Sequence, residues 1–398
     1  MTNGPLAHIR VLDLCHVRAG PTAVRALADF GAQVVQVVRP DSAPTTPGAP
    51  DFDRENLHRN KRSIAIDLQT DAGRALFYRM VEQSDVVVEN FRADVKHRLK
   101  VDYDSLAAIN PRIVMGSIAG FGQDGPYGNR AGVDQIVQGM GGLMSVTGPP
   151  GGGPWRVGIP IADLCAGNYL AQGIMAALLE RERSGRGQWV HTSLLEAMIA
   201  MLDFQAARWL IAGEVPQQAG NDHPTGFPTG VFPTSDGFVN VGTAGERTVR
   251  DFLKVLGLEE IGDDPRFATG KARGQNRAAM RELIEPKTRQ MTTNELVERM
   301  AEAGVPCGPI YTIDQVFADP QVQHLRMAQP VPSEVHGELT LVRAPVRLSR
   351  TSTSLRSGAP SPGAHTREVL AEFGLSKDEI DQLEAQGAIG LKQAVGSR

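Results

Sequence analysis

Along residues 10–118, short apolar runs alternate with stretches whose apolar positions recur at helical spacing. Residues 10–15 form the first run, a turn follows over 16–21, residues 22–30 carry helical spacing, and 33–38 form a second run. That order reads as a β-α-β unit. It repeats as a strand near 63–68, a helix over 70–83 with Leu76, Phe77, Met80 and Val81 on one face, and a strand at 85–89. Helical turns around 95–99 and 105–110 lead into a further strand at 112–118. Such alternation predicts an α/β fold whose large domain is a doubly wound parallel sheet with helices on both faces.

The pattern then changes. Two glycine-rich loops, 120–132 and 148–154, precede a segment that starts a long apolar helix, with Tyr169, Leu170, Ile174, Ala177 and Leu178 at helical spacing. Ser184-Gly185-Arg186-Gly187-Gln188 stops that helix, and 189–193 reads as one more strand. The most apolar helical stretch, 194–210, carries Glu196, Asp203 and Arg208; it is too polar to span a bilayer and reads as a packed helix. A stretch rich in Pro, Gly and Gln at 213–233 marks a boundary. Beyond it, a strand at 237–242 and helices at 247–256, 276–289 and 293–303 predict a smaller α+β domain. A return segment from about 331 carries an apolar stretch at 339–348 and a last helix after Thr366. The expected organisation is a large domain over 1–212, a small domain with its connecting segments over 213–329, and a C-terminal return over 330–398.

Composition narrows the class. The 398 residues are 41% apolar and 22% charged, which suits a globular chain of more than one domain. A net charge of -4 gives no basic field for nucleic acid. Cys15, Cys165 and Cys307 are widely separated and show no CxxC or CxxH spacing, so neither a metal site nor a disulfide framework is expected, and a reducing cytoplasm is the natural compartment. Residues 1–5 show no leader pattern, neither end carries a lipidation signal, and no membrane partner is expected.

The candidate chemistry centres on Asp163, an acidic residue delivered to the first turn of the long helix by Val157-Gly158-Ile159-Pro160-Ile161-Ala162-Asp163. Capping and dipole complementarity account for an aspartate there without any chemistry, at about 0.5 to 2 kcal/mol. A carboxylate is also a nucleophile that needs no general base, because its ordinary pKa of about 3.9 leaves it ionised at neutral pH. The first strand-turn-helix lacks the GxGxxG fingerprint: His16-Val17-Arg18-Ala19-Gly20-Pro21 offers one glycine and then a proline, which disfavours a dinucleotide.

Taken together, Asp13-Leu14-Cys15-His16-Val17-Arg18-Ala19-Gly20-Pro21, Asn60-Lys61-Arg62-Ser63-Ile64, Glu89-Asn90-Phe91, the Asp163 segment, Ser184-Gly185-Arg186-Gly187-Gln188 and Gly304-Val305-Pro306-Cys307-Gly308-Pro309 resemble the family III CoA-transferases, the group of formyl-CoA transferase and carnitine CoA-transferase. The resemblance implies CoA transfer from an acyl-CoA donor to a free carboxylic acid, with Asp163 as covalent nucleophile and coenzyme A as substrate, no cofactor being tightly bound. It places CoA contacts on Val17, Arg18, Ala19, Arg39, Asn90, Phe91 and Arg98. For each arginine by itself, a solvated surface role is the competing explanation. The family often has Gln where Arg18 stands, and a cation there favours an acceptor with a second carboxylate.

The resemblance further implies an interlocked homodimer, each chain threaded through a ring formed by the other, with the C-terminal tail packed back on the first domain. In the relatives a mobile glycine-rich loop covers the site; its counterpart here, 220–226, has fewer glycines and contains Pro224. The superfamily also contains α-methylacyl-CoA racemases, which use a His-Asp pair with His in the motif His-Asp-Ile-Asn-Tyr. This chain reads Val133-Asp134-Gln135-Ile136-Val137, and valine cannot exchange a proton. A catalytically silent CoA-binding protein is the third reading. Asp134 is expected either to orient the nucleophile's surroundings or to serve as a buried hydrogen-bonding acid. His16 is expected as a core histidine rather than a base, His191 in a structural role, His365 as a cap or a surface residue, and Cys165 as a buried small apolar residue.

Overall fold

The computed structural model describes residues 4–42 and 51–391. The N-terminal half runs β1 (Arg10–Asp13), α1 (Ala19–Asp29), β2 (Gln33–Val38), α2 (Phe52–His58), β3 (Lys61–Ile66), α3 (Asp71–Val81), β4 (Val86–Glu89), α4 (Ala93–Leu99), α5 (Tyr103–Ile109) and β5 (Val114–Ala119). It continues through α6 (Asp134–Met140), α7 (Leu143–Val146), α8 (Ile161–Ser184), β6 (Trp189–Ser193), α9 (Leu194–Met201) and α10 (Phe204–Ala212). Next come β7 (Gly230–Pro233), β8 (Phe238–Val241), α11 (Glu246–Val255), α12 (Gly270–Gln275), α13 (Arg277–Thr288), α14 (Thr293–Glu302) and β9 (Cys307–Pro309). The chain closes with α15 (Ile313–Ala318), α16 (Pro320–His324), β10 (Ala328–Ser333), β11 (Gly337–Val342), α17 (Thr366–Glu372), α18 (Lys377–Ala385) and β12 (Ile389–Gly390).

Contacts divide the chain into two units, one of residues 1–142, 157–203 and 325–398, the other of 143–156 and 204–324. In the first, seven strands form one sheet in the order β12-β3-β2-β1-β4-β5-β6. All neighbours are parallel except β12, which runs antiparallel along β3. Strands covered by helices on both faces should be apolar throughout. Val11, Leu12, Val35, Val86, Val87 and Val88 are accordingly fully buried. The return segment belongs to this unit: Val369, Leu370, Phe373, Ile380 and Ile389 share one core with Leu12, Val35 and Phe77.

The second unit holds a three-stranded antiparallel sheet, β7-β8-β9, whose core gathers Phe232, Phe252, Phe267, Met280, Leu296 and Met300. Its contents differ from the expected 213–329. The loop at 148–154 joins it because Gln218 Nε2 donates to the Gly153 carbonyl at 2.6 Å and the Gly220 amide donates to the Gly148 carbonyl at 2.9 Å. The stretch at 194–210 is two helices rather than one packed helix, broken at Asp203, whose φ of 46° lies in the left-handed region that aspartate tolerates. α9 buries Leu194, Ala197 and Met198, whereas α10 buries no residue. No helix of the described residues is long and apolar enough to cross a membrane.

Candidate active site

The strand order reverses between β1 and β4, so their C-terminal ends splay into a crevice, the place where doubly wound sheets bind ligands. Two turns leave that crevice, and each is shaped by a buried carboxylate at the end of its strand. Asp13 Oδ1 accepts from the Cys15 amide at 3.0 Å, and Glu89 Oε2 accepts from the Phe91 amide at 2.7 Å. Each acid has a buried lysine, Lys61 Nζ at 2.9 Å from Asp13 Oδ2 and Lys96 Nζ at 3.4 Å from Glu89 Oε1. Burial works against the Asp13 carboxylate, but Lys61, His58 and the Cys15 amide outweigh it and hold the group below its ordinary range. Burial pushes Glu89 up, and Lys96, Ser117 and the Phe91 amide offset only part of that.

Asn90 locks the two turns together. Its Oδ1 accepts from the His16 amide at 2.8 Å and its Nδ2 donates to the His16 carbonyl at 2.5 Å. The next residue, Val17, has a φ of 60°, a conformation that β-branched residues avoid and that tends to persist where surrounding structure enforces it. Its side chain stands exposed.

Asp163 reaches this crevice on α8. The approach of α8 to α1 depends on Gly167, where a Cβ would lie 2.6 Å from the Ala19 carbonyl oxygen. Asp163 is four residues earlier on the same helical face, which sets it one turn further along, beside the N-terminal end of α1. The start of α8 is clamped from α6. Asp134 Oδ1 accepts from the Ala162 amide at 2.9 Å and Oδ2 from Gln138 Nε2 at 2.7 Å. Gln138 also accepts from the Val157 amide at 3.0 Å. Asp134 thus serves in both of its expected roles, as a buried hydrogen-bonding acid and as the residue that orients the segment carrying Asp163.

Burial, with the negative charge of Asp134 next, pushes the Asp163 carboxyl up to about 6, while Arg18 pulls it down. The ordinary carboxylate value expected from sequence therefore does not hold, because one sequence position carries no information about desolvation or about a charge on another helix.

A cavity of roughly 240 Å³ brings together Val17, Arg18, Ala19, Asn90, Phe91 and Asp163. Arg39 and Arg98 are not part of its lining. Arg39 is exposed and pairs with Asp41 at 3.0 Å, and Arg98 is exposed with Asp94 at 4.0 Å. Arg92 and Arg130 line the cavity and were not anticipated; a basic residue inside the glycine-rich 120–132 loop, four positions before Asp134, was the available signal. Lys96 ties that loop down by donating to Gln123 Oε1 as well as to Glu89. His16 is exposed rather than in the core, its ring 5.8 Å from Phe91, His191 lies 4.7 Å from Trp189, and His365 precedes α17 and accepts from the Ser63 amide at 3.2 Å. Cys165 is buried, as expected.

Within the second unit, the 220–226 segment is held by side chains. Asp222 pairs with Arg281 and lies 4.0 Å from Arg277, and Arg277 donates to the carbonyls of His223 and Pro224, both at 2.9 Å. No group of three or more His, Cys, Asp or Glu among the described residues is arranged to hold a metal ion.

Residues 6–366 match the model of CoA-transferase family III. The chain is 40% identical over 382 residues to a succinate–glutarate CoA-transferase of Agrobacterium fabrum, covering 93% of this chain and 96% of that protein. It is 35% identical to a succinyl-CoA–D-citramalate CoA-transferase of Chloroflexus aurantiacus, over 97% of this chain and 98% of that one. Among solved structures, a CaiB/BaiF family protein from Brucella suis superposes with a TM-score of 0.83 at 36% identity, covering 94% of this chain and all of the other.

Proposed function

The chain belongs to CoA-transferase family III, and we propose that it moves CoA between small dicarboxylic acids through covalent intermediates on Asp163. The observation that carries this reading is the placement of Asp163 in a cavity at the topological switch point, raised to about 6 yet ionised at neutral pH. A carboxylate of raised pKa is the better nucleophile while still carrying its charge. Its oxygen attacks the thioester carbonyl of the donor, giving an acyl–aspartyl anhydride and CoA thiolate. The thiolate attacks the aspartyl carbonyl, releases the donor acid and leaves an aspartyl-CoA thioester. An acceptor carboxylate then attacks that thioester, forming a second anhydride, and the returning thiolate takes the acceptor's acyl group and restores Asp163. Each addition places negative charge on a carbonyl oxygen, and backbone amides of the glycine-rich 120–132 loop, whose Gly120, Gly128 and Gly132 line the cavity, are the proposed donors to it.

The cavity is too small for a whole acyl-CoA, so it takes the thioester end. The phosphates of CoA then lie outside it, where Arg39 and Arg98 are the proposed partners, an anion displacing the exposed Asp41 and Asp94. Asn90 contributes chiefly by bracing the His16 turn. A homodimer accompanies this reading, supported by the unburied apolar helix α10. The racemase alternative is not favoured: Val133 stands in the cavity lining where that chemistry needs a base.

The test is to trap the intermediate. Incubation with succinyl-CoA followed by hydroxylamine should convert Asp163 to a hydroxamate, read as a mass change on its peptide. Asp163→Asn should fold, bind CoA and lose several orders of magnitude in transfer. Label on another residue, or near-normal transfer by Asp163→Asn, would refute the assignment.

A further inference from the structure

Three arginines line the cavity, and their situations differ. Arg92 and Arg130 are exposed. Arg92 lies 3.8 Å from Asp94, and the Arg130 guanidinium stacks 3.9 Å over the Tyr127 ring. Arg18 alone is largely covered, its side chain 23% exposed, and it stands at the boundary of α1, the helix against which α8 closes at Gly167. Its protein partner is Asp53 of α2, whose side chain is 47% exposed.

We propose that Arg18 reads the second carboxylate of the substrate, releasing Asp53 to pair with the far end of a dicarboxylic acyl group whose near end is held at Asp163. This rests on the reading of the chain as a CoA-transferase for dicarboxylic acids.

An ion pair half in water contributes little, so the Arg18–Asp53 pairing is readily exchanged. A substrate carboxylate entering the cavity meets the same largely covered guanidinium, and a planar guanidinium grips a carboxylate through two parallel hydrogen bonds. The cavity also has an electrostatic difficulty that Arg18 relieves. Asp163 must react while ionised, and a substrate carrying a second negative charge is repelled by it. Arg18 is the cation whose charge acts on Asp163, so it offsets that repulsion where the two anions meet. A monocarboxylic acyl group of equal length leaves Arg18 on Asp53 and gains nothing from it.

The donor half-reaction isolates this selection. Wild-type and Arg18→Gln full-length proteins are given succinyl-CoA or butyryl-CoA with hydroxylamine and no acceptor, and released CoA is followed. Loss of Arg18 should lower the rate constant for succinyl-CoA by roughly 10- to 100-fold more than that for butyryl-CoA, the range of a charge-assisted hydrogen bond. Arg18→Lys should restore part of the preference. Asp53→Asn removes the competing anion away from the reacting atoms, and should raise the preference for succinyl-CoA. Equal losses with both donors would assign Arg18 to Asp163 or to CoA itself and overturn the proposal, as would a weaker preference in Asp53→Asn. Release from neither donor by the wild-type protein is a separate result that removes the proposed function itself. A misfolded Arg18→Gln, seen as a lost melting transition, leaves Asp53→Asn to decide.

Discussion

Asp163 acquires its chemistry from residues far away in sequence. Half-buried and with the Asp134 charge nearby, its carboxyl is pushed up to about 6, and Arg18 keeps it from rising further. The rate constant kcat/KM should therefore fall on the acid side of about pH 6, approaching a tenfold loss per pH unit. In Asp134→Asn the raising charge is gone, so the limb should move to lower pH; an unmoved limb in a pH–rate profile would show that Asp134 does not act on the proposed nucleophile. The same shift predicts a stability effect. The unfolded chain's carboxyl titrates near 3.9, so the folded protein bears no penalty for Asp163 below about pH 4, acquires it as pH rises through 6, and carries it fully above. Discounted for partial exposure, that penalty is about 1 to 2 kcal/mol. Asp163→Asn should thus melt a few degrees above wild type at pH 8 and level with it at pH 4, measured by scanning calorimetry. At this scale the sequence showed which residue to suspect and nothing of its pKa, because desolvation and the Asp134 charge exist only once α6 and α8 meet.

Elements decide where that residue stands. α8 was legible because Leu170, Ile174, Ala177 and Leu178 recur at helical spacing, and all four are buried. The reason it comes so near α1 was not legible, since Gly167 reads in sequence as one small residue among several. A Cβ at 167 would meet the Ala19 backbone at 2.6 Å, and a backbone oxygen cannot swing aside as a side chain can. Gly167→Ala should destabilise by about 1 to 3 kcal/mol through overpacking. It should also lower kcat more than free-CoA affinity, because the displacement falls at the turn beneath Asp163. Kinetics and calorimetry on the same preparation test this, and equal losses in the two would mean that Gly167 matters only to packing. The turns after β1 and β4 teach a similar lesson. Their apolar strands announced themselves, whereas the pairing of Asp13 with Lys61 and of Glu89 with Lys96 spans sequence separations that no periodicity reports.

For the whole molecule, the alternation of strands and helices up to 118 was enough to foresee the parallel sheet, and the stop of α8 at Gly185 came out where the residue chemistry placed it. What escaped was the affiliation of distant segments. The loop at 148–154 joins the second unit through Gln218 and Gly220, and β12 closes the far edge of the first unit's sheet from the opposite end of the chain. Such partnerships depend on which backbone groups remain unpaired after local structure has formed, and local sequence does not record them. The stretch at 194–210 is the clearest case. Its apolar content suggested a packed helix, yet α10 leaves Trp209, Leu210 and Ile211 55%, 79% and 86% exposed. Three large apolar side chains in succession, spread around a helix that buries none of its own residues, are disfavoured in water and are the composition expected of a helix enclosed by a second copy. Light scattering at micromolar concentration should give a mass twice that of one chain. Leu210→Glu with Ile211→Glu should shift that mass to one chain and lower transfer activity with it, because burying two carboxylates in such an interface is prohibitive. If the wild-type protein runs as a single chain, or the double variant stays double, α10 is not the contact and the homodimer must rest on another surface or be abandoned.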